Sequence, residues 1–257
     1  MLDLLKELRD IYGVTDVKAE FETEGTRLNE LMCLKQLAER ANLGLVVKIG
    51  GCEAVTDMLY ARDIGISGLV APMIESSFAL KKYIEALIRY FPTDLRREIR
   101  FGINIETCQA VEKISEILNS EIVGFINFIT LGRGDLTCSM GMKRDQVDDE
   151  EIYTIAEKVF TEAKEQKIET CIGGCISSGS INFIKRLFEK KLLDKFETRK
   201  VVYKITTDAE ISNIGIDKAL EFELLWLENK KRYYGEIFRE DDTRIDTLKA
   251  RINNYIP

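Results

Sequence analysis

The sequence predicts an α/β barrel in which strands and helices alternate along the chain. Short β-rich segments recur between amphipathic helical segments, and several of them are almost continuously apolar, as strands buried on both faces should be. The 257 residues, 45% of them hydrophobic, suffice for a large core, and barrels of this length commonly form one domain. We therefore expect a (β/α)8 TIM barrel that occupies residues 1–257 as a single domain.

Seven strands can be assigned, whereas a closed barrel of this type needs eight. The strand segments are DVKAEFE at 16–22, GLVVKIG at 44–50, GLVAPMI at 68–74, FGINIE at 101–106, GFINFITLG at 124–132, ETCIGG at 169–174 and KVVYKIT at 200–206. The opening residues have a helical pattern, so a distorted or missing first strand is the preferred explanation for the count. The Lys- and Glu-rich run 185–200 is interpreted as a solvated helix and loop.

Helices are predicted between these strands from apolar spacing and caps. Ser76 is a candidate N-cap, and 148–168 carries a stripe with helical periodicity. The segment 208–257 is predicted to be a charged helical extension, with an apolar stripe beside Trp226 formed by Leu220, Leu224, Leu225 and Leu227. This stripe either covers the chain's own barrel or packs on a partner subunit. Because the extension exceeds what a minimal barrel requires, we predict a homo-oligomer with Leu220, Leu224 and Leu227 in its interface.

Composition restricts the function classes. A net charge of -7 lacks the basic excess that neutralises phosphate backbones, so a nucleic-acid partner is not expected. The sequence also has no apolar run long enough for a membrane helix and no signal peptide, which predicts a cytoplasmic protein without a membrane partner. Histidine is absent, so any catalysis must use carboxylate, Lys, Tyr, Cys or metal-bound water.

Polar side chains stand at four predicted strand ends: Glu20 with Glu22, Lys48, Glu106, and Asp135. The active site of a parallel barrel lies at the carboxyl ends of its strands. A carboxylate in an apolar β segment is costly unless it is paired or binds a cation, so Glu106 and Asp135 on neighbouring strands predict a Mg²⁺ or Mn²⁺ site. The alternative is that these acids cap helices or pair with Lys and Arg.

Several neighbouring loop residues have two interpretations. Gly50 and Gly51 could present backbone N–H groups to a substrate carboxylate or phosphate, or could simply form a tight turn. Arg133 could contact substrate or could neutralise the acidic cluster around Asp135. The backbone amide near Gly134 is a further candidate donor.

Four segments in order along the chain resemble the HpcH/HpaI aldolase and citrate lyase β-subunit family of the pyruvate/phosphoenolpyruvate barrel superfamily. They are ARDIGISG at 61–68, GLVAPMIES at 68–76, FGINIETCQAVEKI at 101–114 and FITLGRGDLTCSMG at 128–141. The RGDL segment also resembles the metal-site loop of pyruvate kinase. The resemblance covers roughly residues 14–180 and leaves the C-terminal third poorly matched.

The resemblance implies roles for individual residues. Glu106 matches the metal-binding Glu of the IET motif, and Asp135 matches the metal-binding Asp of the GxxDL motif. Lys48 stands where the family usually has an Arg that holds the 2-oxo acid, which keeps the charge but loses the bidentate fork. The catalytic His expected after the acidic pair of the strand KAEFETEG is missing.

These inferences predict a metal-dependent carbon–carbon lyase of aldolase type acting on a 2-oxo acid such as pyruvate. Glu106 and Asp135 would hold the cation, while Lys48 would bind the substrate carboxylate or stabilise the enolate. Glu20 or Glu22, or metal-bound hydroxide, would take the proton. The alternatives are a phosphoenolpyruvate- or acyl-thioester-using enzyme of the same superfamily, and a non-catalytic relative.

Overall fold

The computed structural model describes residues 1–253 and confirms the barrel. Eight strands close in chain order, and their bounds are β1 Val14–Glu20, β2 Gly44–Lys48, β3 Gly68–Ala71, β4 Arg100–Ile105, β5 Phe128–Gly132, β6 Glu169–Gly173, β7 Lys195–Glu197 and β8 Val201–Lys204. Neighbouring strands from β1 to β7 are parallel. Their carboxyl ends therefore meet at one mouth of the barrel.

Helices surround the strands. Their bounds are α1 Leu2–Tyr12, α2 Leu28–Arg40, α3 Val55–Ile64, α4 Ser77–Tyr90, α5 Leu95–Glu98, α6 Cys108–Glu112, α7 Ile114–Leu118, α8 Arg133–Ser139, α9 Glu150–Glu165, α10 Ile181–Glu189 and α11 Asn213–Asn253. Ser76 caps α4 as predicted, because its side chain accepts a hydrogen bond of 3.1 Å from the amide of Ala79. None of the helices within residues 1–253 combines the length and apolarity needed to cross a membrane.

The strand absent from the sequence assignment is β7, and the prediction of a distorted or missing first strand is wrong. β1 is present and pairs with both β2 and β8, with one irregularity between Val14 and Asp16 in its register with β8. β7 falls inside the run 185–200 that was interpreted as a solvated helix and loop. Its charged residues Lys195 and Glu197 are buried, because they pair with other charges inside the barrel.

The eighth strand runs against the others. β8 is antiparallel to both β7 and β1, so a short hairpin replaces the last helical crossover of a regular (β/α)8 barrel. In the turn, Thr198 donates its amide to the carbonyl of Val201 at 3.0 Å, and its hydroxyl accepts from the amide of Val201 at 3.3 Å. The turn lies at the carboxyl end of β7 and therefore at the mouth of the barrel.

The barrel separates an apolar shell from a partly polar interior. The main hydrophobic core lies between the strands and the helices, where the stacked rings of Phe196 and Tyr203 have centroids 4.2 Å apart. Inside the barrel, Val46, Val70, Phe128 and Val202 form a separate small apolar cluster. Above this cluster the interior is polar, which leaves space for a site at the mouth.

The predicted C-terminal extension is one helix, α11, of 41 residues. It packs on the barrel through the face that carries Ile216, Ala219, Phe222 and Trp226, all of which are buried. The predicted stripe of Leu220, Leu224 and Leu227 points elsewhere, with exposures of 40%, 56% and 50%. Leu225 is half-buried, and Leu220 and Leu227 each line a pocket together with residues of the barrel, so the stripe covers the chain's own barrel only in part.

Candidate active site

A cavity of about 390 Å³ opens at the carboxyl ends of the strands. It contains five of the candidate site residues chosen from the sequence, namely Glu20, Lys48, Glu106, Gly134 and Asp135. Polar side chains that the sequence analysis did not single out also line it: Lys18, Thr23, Asn104, Thr130, Arg144, Glu197, Thr198, Arg199 and Glu223. Parallel strand direction explains this convergence, because each strand delivers its last residues to the same mouth.

Glu106 is the most deeply placed of the predicted metal ligands. It directly follows β4, is 2% exposed, and accepts hydrogen bonds of 3.0 Å from the amide of Met73 and from the side-chain amide of Asn104. Burial is the main cause that raises the pKa of Glu106, and the nearby charge of Asp135 raises it further. The carboxylate lies so close to β5 that a Cβ on Gly132 would be 2.6 Å from its Oε2.

Asp135 lies in the first turn of α8, exposed at the cavity wall. With Glu106 it offers only carboxylate oxygens, the donor type that Mg²⁺ and Mn²⁺ prefer. Asn104 also lines the cavity, and its buried Oδ1 has no hydrogen-bond partner within residues 1–253. The donor chemistry of Glu106, Asp135 and Asn104 fits a hard divalent cation. Within residues 1–253, however, no cluster of three or more Asp, Glu or Cys side chains is placed to hold a metal ion by itself.

Four alternating charges cross the interior below the mouth. Lys18 on β1 pairs with Glu197 of β7 and lies 3.3 Å from Glu20, which in turn lies 3.1 Å from Lys48 of β2. Burial would raise the pKa of Glu20, but the charges of Lys18 and Lys48 outweigh burial and lower it to about 2. Burial likewise opposes the charge of Lys18, yet Glu197 and Glu20 raise the pKa of Lys18 above its usual range. Both Lys18 and Glu20 are therefore ionised at neutral pH.

Glu22, Gly50 and Gly51 lie outside the lining of this cavity. Glu22 is exposed after the end of β1 and lies over Gly50, where a Cβ would approach the Cγ of Glu22 to 2.5 Å. The amide of Gly50 donates to Asp57 at 2.8 Å, and the carbonyl of Gly51 accepts from the amide of Ala54 at 3.1 Å. This geometry is that of a tight strand-to-helix turn and does not support a substrate contact.

Arg133 is fully buried and its guanidinium is used by the protein itself. It forms an ion pair with Asp148 and donates to the carbonyls of Gly173 at 3.2 Å and Gly174 at 3.0 Å. It therefore ties α8 to the end of β6 and does not line the cavity. Gly174 has φ +82°, and a Cβ there would lie 2.4 Å from the amide nitrogen of Gly134, so only glycine permits this close approach.

Sequence reasoning missed Arg199 of the hairpin, Glu223 of the helical extension and Arg144 after α8. Arg199, in the β7–β8 turn, lies 3.9 Å from Glu223 of α11, and both line the cavity. Burial is the main cause that raises the pKa of Glu223. Arg144, which follows α8, is an exposed cation on the same wall. Lys18 and Asn104 could have been found from strand periodicity, because residues two apart face the same side and these stand two positions before Glu20 and Glu106.

Comparisons with known proteins agree with this architecture. Among solved structures, an HpcH/HpaI aldolase from Desulfitobacterium hafniense DCB-2 shares 17% identity at a TM-score of 0.61, covering 77% of this chain and 81% of that chain. Citrate synthase SbnG shares 16% identity at a TM-score of 0.61, covering 90% and 100% respectively. Macrophomate synthase shares 13% identity at a TM-score of 0.53, covering 91% of each chain. At these identities the likeness shows the fold alone.

A search of curated protein sequences found no match. The family comparison is more specific. The model of the HpcH/HpaI aldolase/citrate lyase family matches residues 27–175, a segment that includes Lys48, Glu106 and Asp135. Since this match spans more than half of the 257 residues, the chain belongs to the HpcH/HpaI aldolase/citrate lyase family.

Proposed function

We propose that the protein is a divalent-metal-dependent carbon–carbon lyase that acts on a 2-oxo acid through a pyruvate-like enolate. Family membership supports an enzyme of aldolase or lyase type. The observation that carries the finer proposal is the pair Glu106 and Asp135 in one cavity with Lys18 and Lys48. The similar folds of an HpcH/HpaI aldolase, citrate synthase SbnG and macrophomate synthase are in keeping with this type of chemistry.

Glu106 and Asp135 would hold the Mg²⁺ or Mn²⁺ ion. When bound, such a cation supplies Lewis-acid stabilisation of the negative charge that develops on a substrate carbonyl oxygen. Lys48 would bind the substrate carboxylate, because its ammonium group lies at the cavity wall and its own partner, Glu20, is shared with Lys18. Arg144 and Arg199 would attract anionic substrates to the mouth.

The proton acceptor must be reconsidered. Glu22 is outside the cavity, and Glu20 is a weak base because Lys18 and Lys48 lower its pKa. We propose Glu223 in place of these two carboxylates, because it lines the cavity, is half-buried, and has a pKa that burial raises. Its only ion pair within residues 1–253, to Arg199, is 3.9 Å long, which leaves the carboxylate available to take a proton. Metal-bound hydroxide remains the alternative base.

The test is exchange of the methyl protons of pyruvate with deuterated water, followed by NMR in the presence of Mn²⁺. We expect exchange above a metal-only control. Glu106→Gln and Asp135→Asn should each weaken Mn²⁺ binding in calorimetry by at least tenfold and abolish exchange, because each removes a carboxylate ligand. Glu223→Gln should slow exchange while leaving Mn²⁺ affinity unchanged.

The matched control is Glu165→Gln, which neutralises an exposed carboxylate at the end of α9 and should change neither measurement. Unchanged Mn²⁺ binding in both ligand variants would remove the metal assignment. Binding of metal and pyruvate without exchange would favour the phosphoenolpyruvate, acyl-thioester or non-catalytic alternatives. Normal exchange in Glu223→Gln would exclude Glu223 as the base and leave the metal site intact.

A further inference from the structure

The outward face of α11 carries a regular apolar pattern over most of its length. Steps of four and three residues alternate from Leu220 to Ile252, the a and d spacing of a coiled coil. The positions are Leu220, Leu224, Leu227, Lys231, Tyr234, Phe238, Asp241, Ile245, Leu248 and Ile252. Eight of these ten positions are apolar or aromatic, and only Lys231 and Asp241 are charged. We call this set the α11 seam.

Most of the seam has little cover from its own chain. The exceptions are Leu220, which lines the cavity, and Tyr234, which is half-buried, donates its hydroxyl to Glu30 at 2.7 Å and lies under the guanidinium of Arg27. The exposure of the aliphatic seam residues and Phe238 ranges from 40% at Leu220 to 66% at Phe238. Every residue from 236 to 253 is exposed, so this half of the helix has no packed face. Helices in proteins owe most of their stability to such a face. A seam of about 50 Å, at 1.5 Å per residue, is thus left for another molecule.

We propose that the α11 seam pairs with the α11 seam of a second copy of this chain as an antiparallel coiled coil centred near Glu236. In antiparallel pairs, a positions lie opposite d positions of the other helix. In this register Leu220 lies opposite Ile252 of the partner subunit, and Leu224 lies opposite Leu248 of the partner subunit. Leu227 then meets Ile245 of the partner subunit. Both apolar halves of the seam are covered by the opposite halves of the other copy.

The two charged positions select this arrangement. Lys231 lies opposite Asp241 of the partner subunit, and the two-fold symmetry forms this pair twice. A parallel in-register pair would instead bring Lys231 against Lys231 and Asp241 against Asp241, which is repulsive inside a seam. An antiparallel pair shifted by one heptad would place Lys231 opposite Leu248 or Tyr234, so that its charge would lie in the seam without an acidic partner. The flanking positions do not discriminate, since Glu221 would face Lys249 but Glu228 would face Asp242.

Gly235 lies next to the proposed centre of the antiparallel pair, and its lack of a side chain is consistent with this position. A glycine inside a helix costs about 0.5–1 kcal/mol relative to alanine, and a Cβ at Gly235 would meet nothing within 4 Å in its own chain. Beside the two-fold axis, however, Gly235 faces Gly235 of the partner subunit and allows the backbones to approach.

Leu220 also lines the candidate active-site cavity, so Ile252 of the partner subunit would border the mouth of this cavity.

Charge exchange tests the proposal on the full-length protein, with mass measured by light scattering and sedimentation at micromolar concentration. The wild type should have twice the chain mass of 29.4 kDa or a multiple of that dimer. Lys231→Glu and Asp241→Lys should each weaken dimerisation at least tenfold, because each places like charges in the seam. The double variant, and an equimolar mixture of the two single variants, should recover wild-type affinity.

The matched control is Glu236→Lys, which makes the same change of two charges at a position that points away from the seam and should leave dimerisation unchanged. A wild type with the mass of one chain overturns the proposal. Single variants that associate as tightly as the wild type also overturn it, since a parallel pair or another interface would give that result. Failure of the double variant to recover, with helicity intact by circular dichroism, would exclude the Lys231–Asp241 register.

Discussion

At the scale of single residues, the part of the barrel interior that lies near the mouth is organised by charge pairing rather than by apolar packing. Lys18, Glu20, Lys48 and Glu197 are all buried, and each has at least one oppositely charged partner. Removing one member of such a group leaves another buried charge without its partner, which is far more costly than losing a surface ion pair. These residues are therefore expected to contribute to stability as well as to the chemistry of the cavity.

The pH dependence of stability follows from Glu20. The folded-state pKa of Glu20 is about 2, below the unfolded value of about 4.3. The ionised carboxylate therefore stabilises the folded state, and this contribution is complete above about pH 4.3. This contribution is lost as the pH falls from about 4.3 to about 2. Glu20→Gln should thus lower the free energy of unfolding by roughly 3 kcal/mol at pH 7, and by less at pH 3.

Urea unfolding of the wild type and the variant at both pH values measures this difference. Glu165→Gln is the control, because its carboxylate is exposed and should leave stability unchanged at either pH. A Glu20→Gln difference of equal size at pH 3 and pH 7 would contradict the assigned direction of the pKa.

The sequence predicted part of the site at this scale. Glu20, Lys48, Glu106 and Asp135 could be chosen because charged residues at the ends of apolar strands are unusual, and all four line the cavity. Arg133 could not be judged in the same way. Its neighbours in the sequence are site residues, but its guanidinium is bound by Asp148 and by carbonyls near residue 173, which only folding brings together.

At the scale of elements, the β7–β8 hairpin distinguishes this barrel from a regular one. Three-residue β7 has two inward charges and one outward apolar residue, Phe196, so its composition resembles that of a surface loop. The strand was therefore missed. Its inward charges are satisfied by Lys18 and Glu169, whose positions depend on closure of the barrel.

Phe196 holds the hairpin against the outer core. It is fully buried and stacks on Tyr203, so Phe196→Ala should leave a cavity and lower the free energy of unfolding by about 3–5 kcal/mol. Denaturant unfolding measures this value. Phe78→Ala is the control, since Phe78 is 68% exposed and its loss should change stability little. Equal effects of the two substitutions would show that β7 does not stabilise the barrel.

At the scale of the whole molecule, α11 has two parts with different roles. The first part packs on the barrel through Phe222 and Trp226, and the carbonyl of Gly215 accepts a hydrogen bond of 2.7 Å from Tyr203. The second part, residues 236–253, is exposed throughout. The first part should therefore be needed for folding and the second only for assembly.

Two truncations test this division. A chain ending at Tyr234 should fold into a barrel that stays monomeric, whereas a chain ending at Ser212 should be unstable or insoluble because the face under Phe222 and Trp226 is uncovered. Circular dichroism, thermal unfolding and light scattering distinguish these outcomes. A cooperative, soluble chain ending at Ser212 would contradict the structural role of the first part, and a dimer ending at Tyr234 would contradict the proposed seam.

The sequence by itself determined the barrel, its strand–helix order, the family resemblance and the strand-end carboxylates, because these depend on local periodicity and on the rarity of charge in apolar strands. Only the tertiary structure decided that the missing strand is β7 and that β8 runs antiparallel. It also decided that Arg133 supports the loops, while Arg199 and Glu223 line the cavity. The physical reason is that a charged residue can be predicted to be buried only when its oppositely charged partner is known. Those partners, such as Glu197 for Lys18, lie far away in sequence and meet only when the barrel closes.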